Sequence, residues 1–353
     1  MSGVPTFVFG GRGLLAGEFA RLALGHPRLE LAALISREVF ACQSEQPHLV
    51  PPPPVLATQA GVEELVRTTL EHERALAVLA LPHGRSAALF DALQTALGHH
   101  AERLVVLDLA ADFRLVERER HRATYGDEAH PARVNFTYGL PELFRDAWRE
   151  RPGSHVAAPG CFATALQLAT VPAARAELLD ADAPWIYFGI TGSSGSGATP
   201  GPGTHHPHRA GNLWAYATNG HRHEAELLQA VAPLTPRVHF VPHSGPFVRG
   251  IHLTATLPLR PGVTEGDARA AFAAAYRDEP FVGLPEGRPP MLRAVVGSNR
   301  AELGVSVRAG LLTVLLTLDN LLKGGAGQGL QAINRRFGWD ETTGLPVSGQ
   351  GVA

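Results

Sequence analysis

The run Pro159-Gly160-Cys161-Phe162-Ala163-Thr164 sets one of the chain's two cysteines directly after a Pro-Gly turn and before a helical pattern. A helix N-terminus leaves backbone N–H groups unpaired and carries the positive end of the helix dipole, so it favours the anionic, nucleophilic form of sulfur. Cys161 is therefore a candidate nucleophile. A free cysteine is also a small hydrophobe that commonly fills a core, and position alone leaves that reading open. A second group suited to chemistry lies at Gly220-His221-Arg222-His223-Glu224-Ala225-Glu226. An imidazole passes protons in both directions near neutral pH, and a carboxylate three residues on along a helix shares its face and can orient it. His223 with Glu226 fits that spacing, with His221 as the alternative. Thr204-His205-His206-Pro207-His208 adds three imidazoles to a chain of 17 histidines, but neither cluster has a zinc spacing with Cys or carboxylate partners. No metal is expected, and 205–208 reads as a surface loop or a substrate-side or subunit contact.

These groups need a scaffold, and the first half reads as alternating strand and helix. Thr6-Phe7-Val8-Phe9 is a short apolar run ending in Gly10-Gly11-Arg12-Gly13-Leu14-Leu15-Ala16-Gly17, after which Glu18 to Leu24 is helical. Strand, glycine turn and helix form the context of a dinucleotide fingerprint. Gly10 permits the turn, Gly13 admits a pyrophosphate to the helix N-terminus, and Gly11, Arg12, Leu14 and Leu15 complete the loop. The second strand, Leu29 to Ile35, ends in Ser36-Arg37 and not in an acid, which suits the 2′-phosphate of NADP(H). A solvated arginine in a loop is the plainer alternative. Leu76 to Leu81 and Leu104 to Leu109 are continuous apolar runs, as expected of parallel strands buried on both faces. Ligands bind outside the carboxyl ends of such strands, so Pro82, His83, Gly84, Asp112 and Arg114 are site candidates, a capping Asp paired with Arg being the structural alternative. Gln46 to Pro54, with four consecutive prolines, is a loop.

The second half changes character. A helix from Cys161 is expected to stop near Val171, ahead of Pro172. Trp185–Thr191, Val238–Val241, Val248–Leu257 and Leu311–Leu318 read as strands and Val263–Arg277 as a helix. Strand-rich sequence after strand–helix alternation implies a separate α+β domain. Between them Gly192-Ser193-Ser194-Gly195-Ser196-Gly197 offers backbone donors that could wrap an anion or a carboxamide, or simply connect two elements. Asn320, in Asp319-Asn320-Leu321-Leu322-Lys323-Gly324, could bond a carboxamide or cap a helix. A last amphipathic helix with Leu330, Ile333 and Phe337 on one face is expected to return to the first domain. The resulting division is 1–160 for nucleotide binding, 161–319 for catalysis and assembly, and 320–353 for the returning helix.

At 353 residues the chain exceeds what one core usually serves. Its 45% hydrophobic and 18% charged residues and formal net charge of -2 leave no basic excess for nucleic acid. Two cysteines cannot build a disulfide framework. The start has no signal-like apolar stretch, and no run is long enough to span a bilayer, so a cytoplasmic protein is expected.

Taken together, Gly10-x-x-Gly13, Leu81-Pro82-His83-Gly84, Asp108-Leu109-Ala110-Ala111-Asp112-Phe113-Arg114, Tyr138-Gly139-Leu140-Pro141-Glu142, Pro159-Gly160-Cys161-Phe162-Ala163-Thr164, His221-Arg222-His223 and Asp319-Asn320-Leu321-x-Lys323-Gly324 resemble the N-acetyl-γ-glutamyl-phosphate reductases, the arginine-biosynthetic semialdehyde dehydrogenases. The matches run in order from Gly10 to about Trp339. Departures are Ala16 for a usual glycine, Leu14-Leu15 for Tyr-Thr, and Thr199-Pro200-Gly201-Pro202 in a loop that is often basic. The resemblance implies a Rossmann domain plus an α+β domain of the semialdehyde and glyceraldehyde-3-phosphate dehydrogenase type. It also implies NADP(H), a small acyl-phosphate substrate, a Cys161 thioester, His223 as proton carrier, Arg114 and His221 as substrate contacts, and a homo-oligomer, dimer or tetramer. A rival family is the lysine-biosynthetic reductase acting on a carrier-linked aminoadipyl phosphate, which is similar in its Leu-Pro-His-Gly, His-His-Pro and Gly-His-Arg-His features. Pro159 and Phe162 look more like the arginine enzyme. A non-catalytic NADP-binding protein is the third reading, and it would lack the thiol, histidine and carboxylate that are present.

Overall fold

Strands β1 (Val4–Phe9), β2 (Leu29–Ser36), β3 (Val55–Ala57), β4 (Ala75–Leu79), β5 (Leu104–Asp108), β6 (Phe136–Tyr138) and β7 (His155–Ala157) form one sheet. Its order is β3-β2-β1-β4-β5-β7-β6, and every neighbouring pair is parallel. The computed structural model describes residues 3–126, 135–151 and 153–351. β4 and β5 are buried throughout, as their unbroken apolar sequences require of strands covered on both faces. β3, β6 and β7 escape notice in the sequence because three residues carry no periodicity. The helix Thr58–Glu71, also unforeseen, packs Gly61 so closely on Ile35 that a Cβ there would meet its side chain.

Two compact units divide the chain. The described residues up to Pro159 join Gly325–Leu345 in the first, and Gly160–Gly324 with Pro346 onward form the second. The expected boundaries after 160 and 319 thus fall after 159 and 324, and the residues from Pro346 group with the second unit. Within the first unit, the helix Ala326–Arg336 is held by Gln328 Nε2 donating to the Gly139 carbonyl at 2.8 Å and by Arg336 Nε donating to the Ser154 carbonyl at 2.6 Å.

In the second unit β8 (Trp185–Thr191), β9 (Trp214–Ala215), β10 (Val238–Ser244), β11 (Ile251–Pro258), β12 (Val282–Gly283), β13 (Ala301–Arg308) and β14 (Leu311–Leu318) form a mixed sheet of order β12-β13-β14-β11-β8-β10-β9. β8 runs parallel to β10 and antiparallel to β11. Alternation along β11 buries Ile251, Leu253, Ala255 and Leu257 on one face, against which the Cys161–Arg175 helix packs, and leaves the other face half-open.

The Cys161 helix does not stop at Val171; it continues through Pro172 to Arg175. Proline offers no N–H to the carbonyl four residues back, that of Leu168. Tyr276 supplies the missing donor, its hydroxyl bonding the Leu168 carbonyl at 2.6 Å. The expected strand at Val248 begins only at Ile251, because Ser193 and Ser194 N–H donate to the carbonyls of Phe247 and Val248 and hold that stretch as a loop. Among the described residues no helix is long and apolar enough to cross a membrane.

Candidate active site

Cys161 is the first residue of its helix, and Gly160, in extended conformation, is the N-cap. The Gly160 carbonyl accepts the Thr164 N–H at 2.8 Å and the Thr164 hydroxyl at 3.2 Å, so the first turn is pinned by a buried threonine. The Gly160 N–H donates to Glu226 Oε2 at 3.2 Å. His223 Nε2 lies so near the Gly160 Cα that a Cβ at 160 would collide with the imidazole. His223 and Glu226, expected to share a helix face, therefore converge on the residue that precedes the cysteine. Both are buried, His223 as N-cap of the helix Glu224–Ala230.

His221 stands beside them. Its Nδ1 accepts the His223 N–H at 3.2 Å, and its ring lies 4.6 Å from the His223 ring and 5.4 Å from Phe240. Burial, with Arg222 adding, lowers its pKa to about 4. A neutral ring whose Nδ1 accepts carries its proton on Nε2, so His221 is a hydrogen-bond donor at neutral pH. Its main-chain N–H donates to Glu224 Oε1 at 3.1 Å, and burial raises the Glu224 pKa above the usual range.

Two contributions are invisible in the sequence. Gly324 faces the cysteine: a Cβ there would sit 2.8 Å from Cys161 Cβ and 2.8 Å from the Asn320 carbonyl oxygen. Tyr216 lies close enough to Cys161 that the sulfur adds to the rise in the phenol's pKa caused first by burial, with Arg222 opposing. Gly324, Gly325 and Gly327 signal in the sequence a close backbone approach to a cofactor, whereas Gly324 meets the cysteine; Leu213-Trp214-Ala215-Tyr216 carries no signal at all.

Ser194 and Asn320, read as cofactor contacts, hold each other. Asn320 Nδ2 donates to Ser194 Oγ at 2.9 Å, its Oδ1 accepts the Gly250 N–H at 2.7 Å, and the Ser194 hydroxyl donates to the Val248 carbonyl at 2.7 Å. Asn320 is thus a buried cross-brace and not a helix cap. Gly195 is exposed on the same short turn. Beside the brace, buried Asp319 receives Arg249 in a two-point pair at 3.0 and 3.1 Å, a pairing that the sequence did not announce.

In the first unit the glycine turn has the shape a dinucleotide needs. Gly10 has φ of 85°, and a Cβ there would strike the Ala80 carbonyl. Gly13 is an extended N-cap with no side-chain cap, so Leu14 and Leu15 open a helix whose first N–H groups are available to an anion. The residues present fit a bound pyrophosphate. Ser36 ends β2 with its hydroxyl donating to the Glu38 carbonyl, and Arg37 is exposed. After Pro82, His83 Nδ1 lies 3.0 Å from Asp112 Oδ1, and Asp112 also accepts the Gly84 and Ala87 N–H groups at 2.8 and 3.1 Å. Asp112 therefore caps the Ser86–Leu97 helix and has His83 as its partner. Arg114 is buried with Nε donating to the Ala158 carbonyl at 2.7 Å and Nη2 to that of Leu109 at 3.0 Å, so these donors brace the backbone. Burial, reinforced by Asp112, pushes the Asp108 pKa up to about 7. Of the loop imidazoles, His205 and His208 stack edge to face at 5.2 Å, and no group of three or more metal-ligating side chains gathers among the described residues.

A glycine-turn unit on a parallel sheet, carried in one chain with a mixed-sheet unit bearing a helix-N-terminal cysteine, defines a class of nicotinamide-dependent dehydrogenases. Residues 6–151 match the semialdehyde dehydrogenase NAD binding domain and residues 161–320 the semialdehyde dehydrogenase dimerisation domain. The chain belongs to the semialdehyde dehydrogenase family. It is similar to an N-acetyl-gamma-glutamyl-phosphate reductase of Corynebacterium efficiens, 37% identical over 98% of each chain. It is also similar to a [LysW]-L-2-aminoadipate 6-phosphate reductase of Deinococcus radiodurans, 36% identical over 97% of this chain and 96% of that one. A probable aspartate-semialdehyde dehydrogenase from Pseudomonas aeruginosa shares the fold, with TM-score 0.66 at 15% identity over 95% of this chain and 99% of that one.

Proposed function

We propose that the chain reduces N-acetyl-L-glutamyl 5-phosphate to N-acetyl-L-glutamate 5-semialdehyde and phosphate with NADPH, in arginine biosynthesis, as a cytoplasmic homo-oligomer. The convergence of His223 and Glu226 on Gly160, directly before Cys161, carries this reading. His223 takes the thiol proton, and the Cys161 thiolate attacks the acyl carbon. The C–O bond to phosphate breaks as His223 returns the proton to the departing oxygen, which leaves a thioester on Cys161. A reduced nicotinamide dinucleotide, whose pyrophosphate Gly10, Gly13, Leu14 and Leu15 would hold, would supply hydride, and the thioester that accepts it becomes a thiohemiacetal alkoxide. Helix N–H groups beside Cys161 and the Nε2–H of His221 stabilise that oxyanion. As the C=O re-forms, the C–S bond breaks, the semialdehyde leaves, and Cys161 regains a proton from solvent through His223. Glu226 positions the attack by holding Gly160.

A substrate panel run oxidatively with phosphate and NADP tests the reading: N-acetylglutamate semialdehyde, aspartate semialdehyde and carrier-linked aminoadipate semialdehyde. Turnover of the first and not the others is expected. Turnover of the carrier-linked compound alone would move the chain to the lysine-biosynthetic activity named for its Deinococcus relative. Cys161→Ser should abolish turnover and leave NADPH binding intact; unchanged activity would overturn the nucleophile.

A further inference from the structure

The glycine turn holds a charged side chain that its phosphate-cradling role does not require. Gly10 and Gly11 N–H both donate to the Ile35 carbonyl, at 2.8 and 2.9 Å, which stitches the turn to the carboxyl end of β2. Arg12 rises from that turn. Its guanidinium carbon lies 5.3 Å from the centre of the Phe40 ring, and its Nε lies 3.2 Å from Glu45 Oε2. Phe40 itself is buried, and a Cβ on Gly11 would touch its Cε1 at 3.4 Å, so the ring is a fixed shelf for the guanidinium. Ser36, the other candidate reader at the end of β2, has its hydroxyl turned to the Glu38 carbonyl and its own carbonyl bonded by Thr58 Oγ1 at 3.0 Å.

We propose that Arg12 reads the 2′-phosphate of a dinucleotide, and that Glu45 is the counter-charge that holds Arg12 when no phosphate is there and opposes the phosphate when it arrives. In this topology the adenosine ribose lies at the end of β2, where an arginine accommodates the phosphate of NADP. The turn that carries Arg12 is stitched to that end, and the guanidinium lies over the Phe40 ring. The Arg12 and Glu45 side chains are 47% and 41% exposed, and a pair that open to water holds only weakly. A dianionic phosphate, which a guanidinium fork binds at two points, displaces a single exposed carboxylate. Arg37, exposed on the following loop, adds positive potential. The inference rests on the reading of the first unit as the NADP(H)-binding one and names what in it confers the preference.

Direct binding of NADPH, NADH and 2′,5′-ADP to the full-length protein, followed by calorimetry, tests it. Arg12→Gln should weaken NADPH and 2′,5′-ADP on the order of 10- to 100-fold, the worth of a charged hydrogen bond, and leave NADH within about 2-fold. Glu45→Gln should tighten the two phosphorylated ligands several-fold and not NADH. Equal loss of NADPH and NADH in Arg12→Gln would mean that Arg12 only shapes the turn. A wild-type preference for NADPH that survives Arg12→Gln, or phosphorylated ligands unmoved by Glu45→Gln, would overturn the assignment. A wild-type protein that binds NADH as tightly as NADPH would instead refute the cofactor reading on which it rests.

Discussion

At Gly324 a single methyl group is enough to test the site's geometry. A Cβ there would come within 2.8 Å of Cys161 Cβ, and the obstruction on its other side is the Asn320 main chain, which cannot swing aside as a side chain would. Gly324→Ala should therefore displace the cysteine, lowering kcat on the order of 100-fold, the cost of about 1 Å of misplacement. NADPH binding, assigned to the other unit, should be unchanged, and steady-state kinetics beside calorimetry would show the split. Loss of NADPH binding together with kcat would mean that the substitution unfolds the chain more widely. The contrast with Cys161 explains what was legible at this scale. Cys161, His223 and Glu226 announce themselves because their signals are local: a Pro-Gly turn before a helix and a spacing of three. Gly324 and Tyr216 reach the cysteine only through tertiary folding, and the Ser194–Asn320 bond joins residues far apart in the chain. Arg114 Nε and Nη2 likewise serve main-chain carbonyls that only the folded β5 and β7 ends bring near.

Elements follow the same rule. Long apolar runs made β1, β2, β4 and β5 readable, and alternation exposed β11, because each pattern is written along one strand. β7 exists by pairing with β5 and β6 by pairing with β7, and their own three residues say little. The Cys161 helix shows how tertiary structure overrides a local stop signal. Pro172 should end it, yet the Tyr276 hydroxyl satisfies the Leu168 carbonyl that the proline strands. Tyr276→Phe removes only that donor and leaves a buried acceptor unpaired, which should cost about 1–3 kcal/mol. The expected result is a lowered urea midpoint with nearly normal kcat, since the unpaired Leu168 carbonyl lies about two turns from Cys161. An unchanged midpoint would show that the helix tolerates its proline unaided.

For the whole molecule, the half-open face of the mixed sheet bears on assembly. Register sets Val241, Phe188, Thr254, Leu315 and Gly304 in one row across five strands, with Phe188 49% exposed. If this row is the face that a second copy covers, Phe188→Lys should convert the oligomer to monomer in light scattering; an unaltered mass would place the contact elsewhere. The pH dependence of stability is set in part by two buried groups of opposite sign in the first unit. His155, whose Nδ1 accepts the Val106 N–H at 3.2 Å, is held by burial, with Arg336 adding, to a pKa of about 4 against 6.5. Between those values the unfolded chain takes up a proton that the folded chain refuses, so His155 costs stability as pH falls. Asp108, raised from 3.8 to about 7, keeps a proton that the unfolded chain releases, so it costs stability as pH rises through the same window. On going from about pH 7.5 to about pH 5 each contributes about 2 kcal/mol, in opposite directions, and the wild-type curve hides both. Single variants that keep an acceptor in place should separate them. Asp108→Asn should make the protein lose stability on acidification and His155→Asn should make it gain, so that the two slopes differ on the order of 4 kcal/mol in urea titrations at those two pH values. Parallel curves for the two variants would mean that neither group titrates as its burial demands.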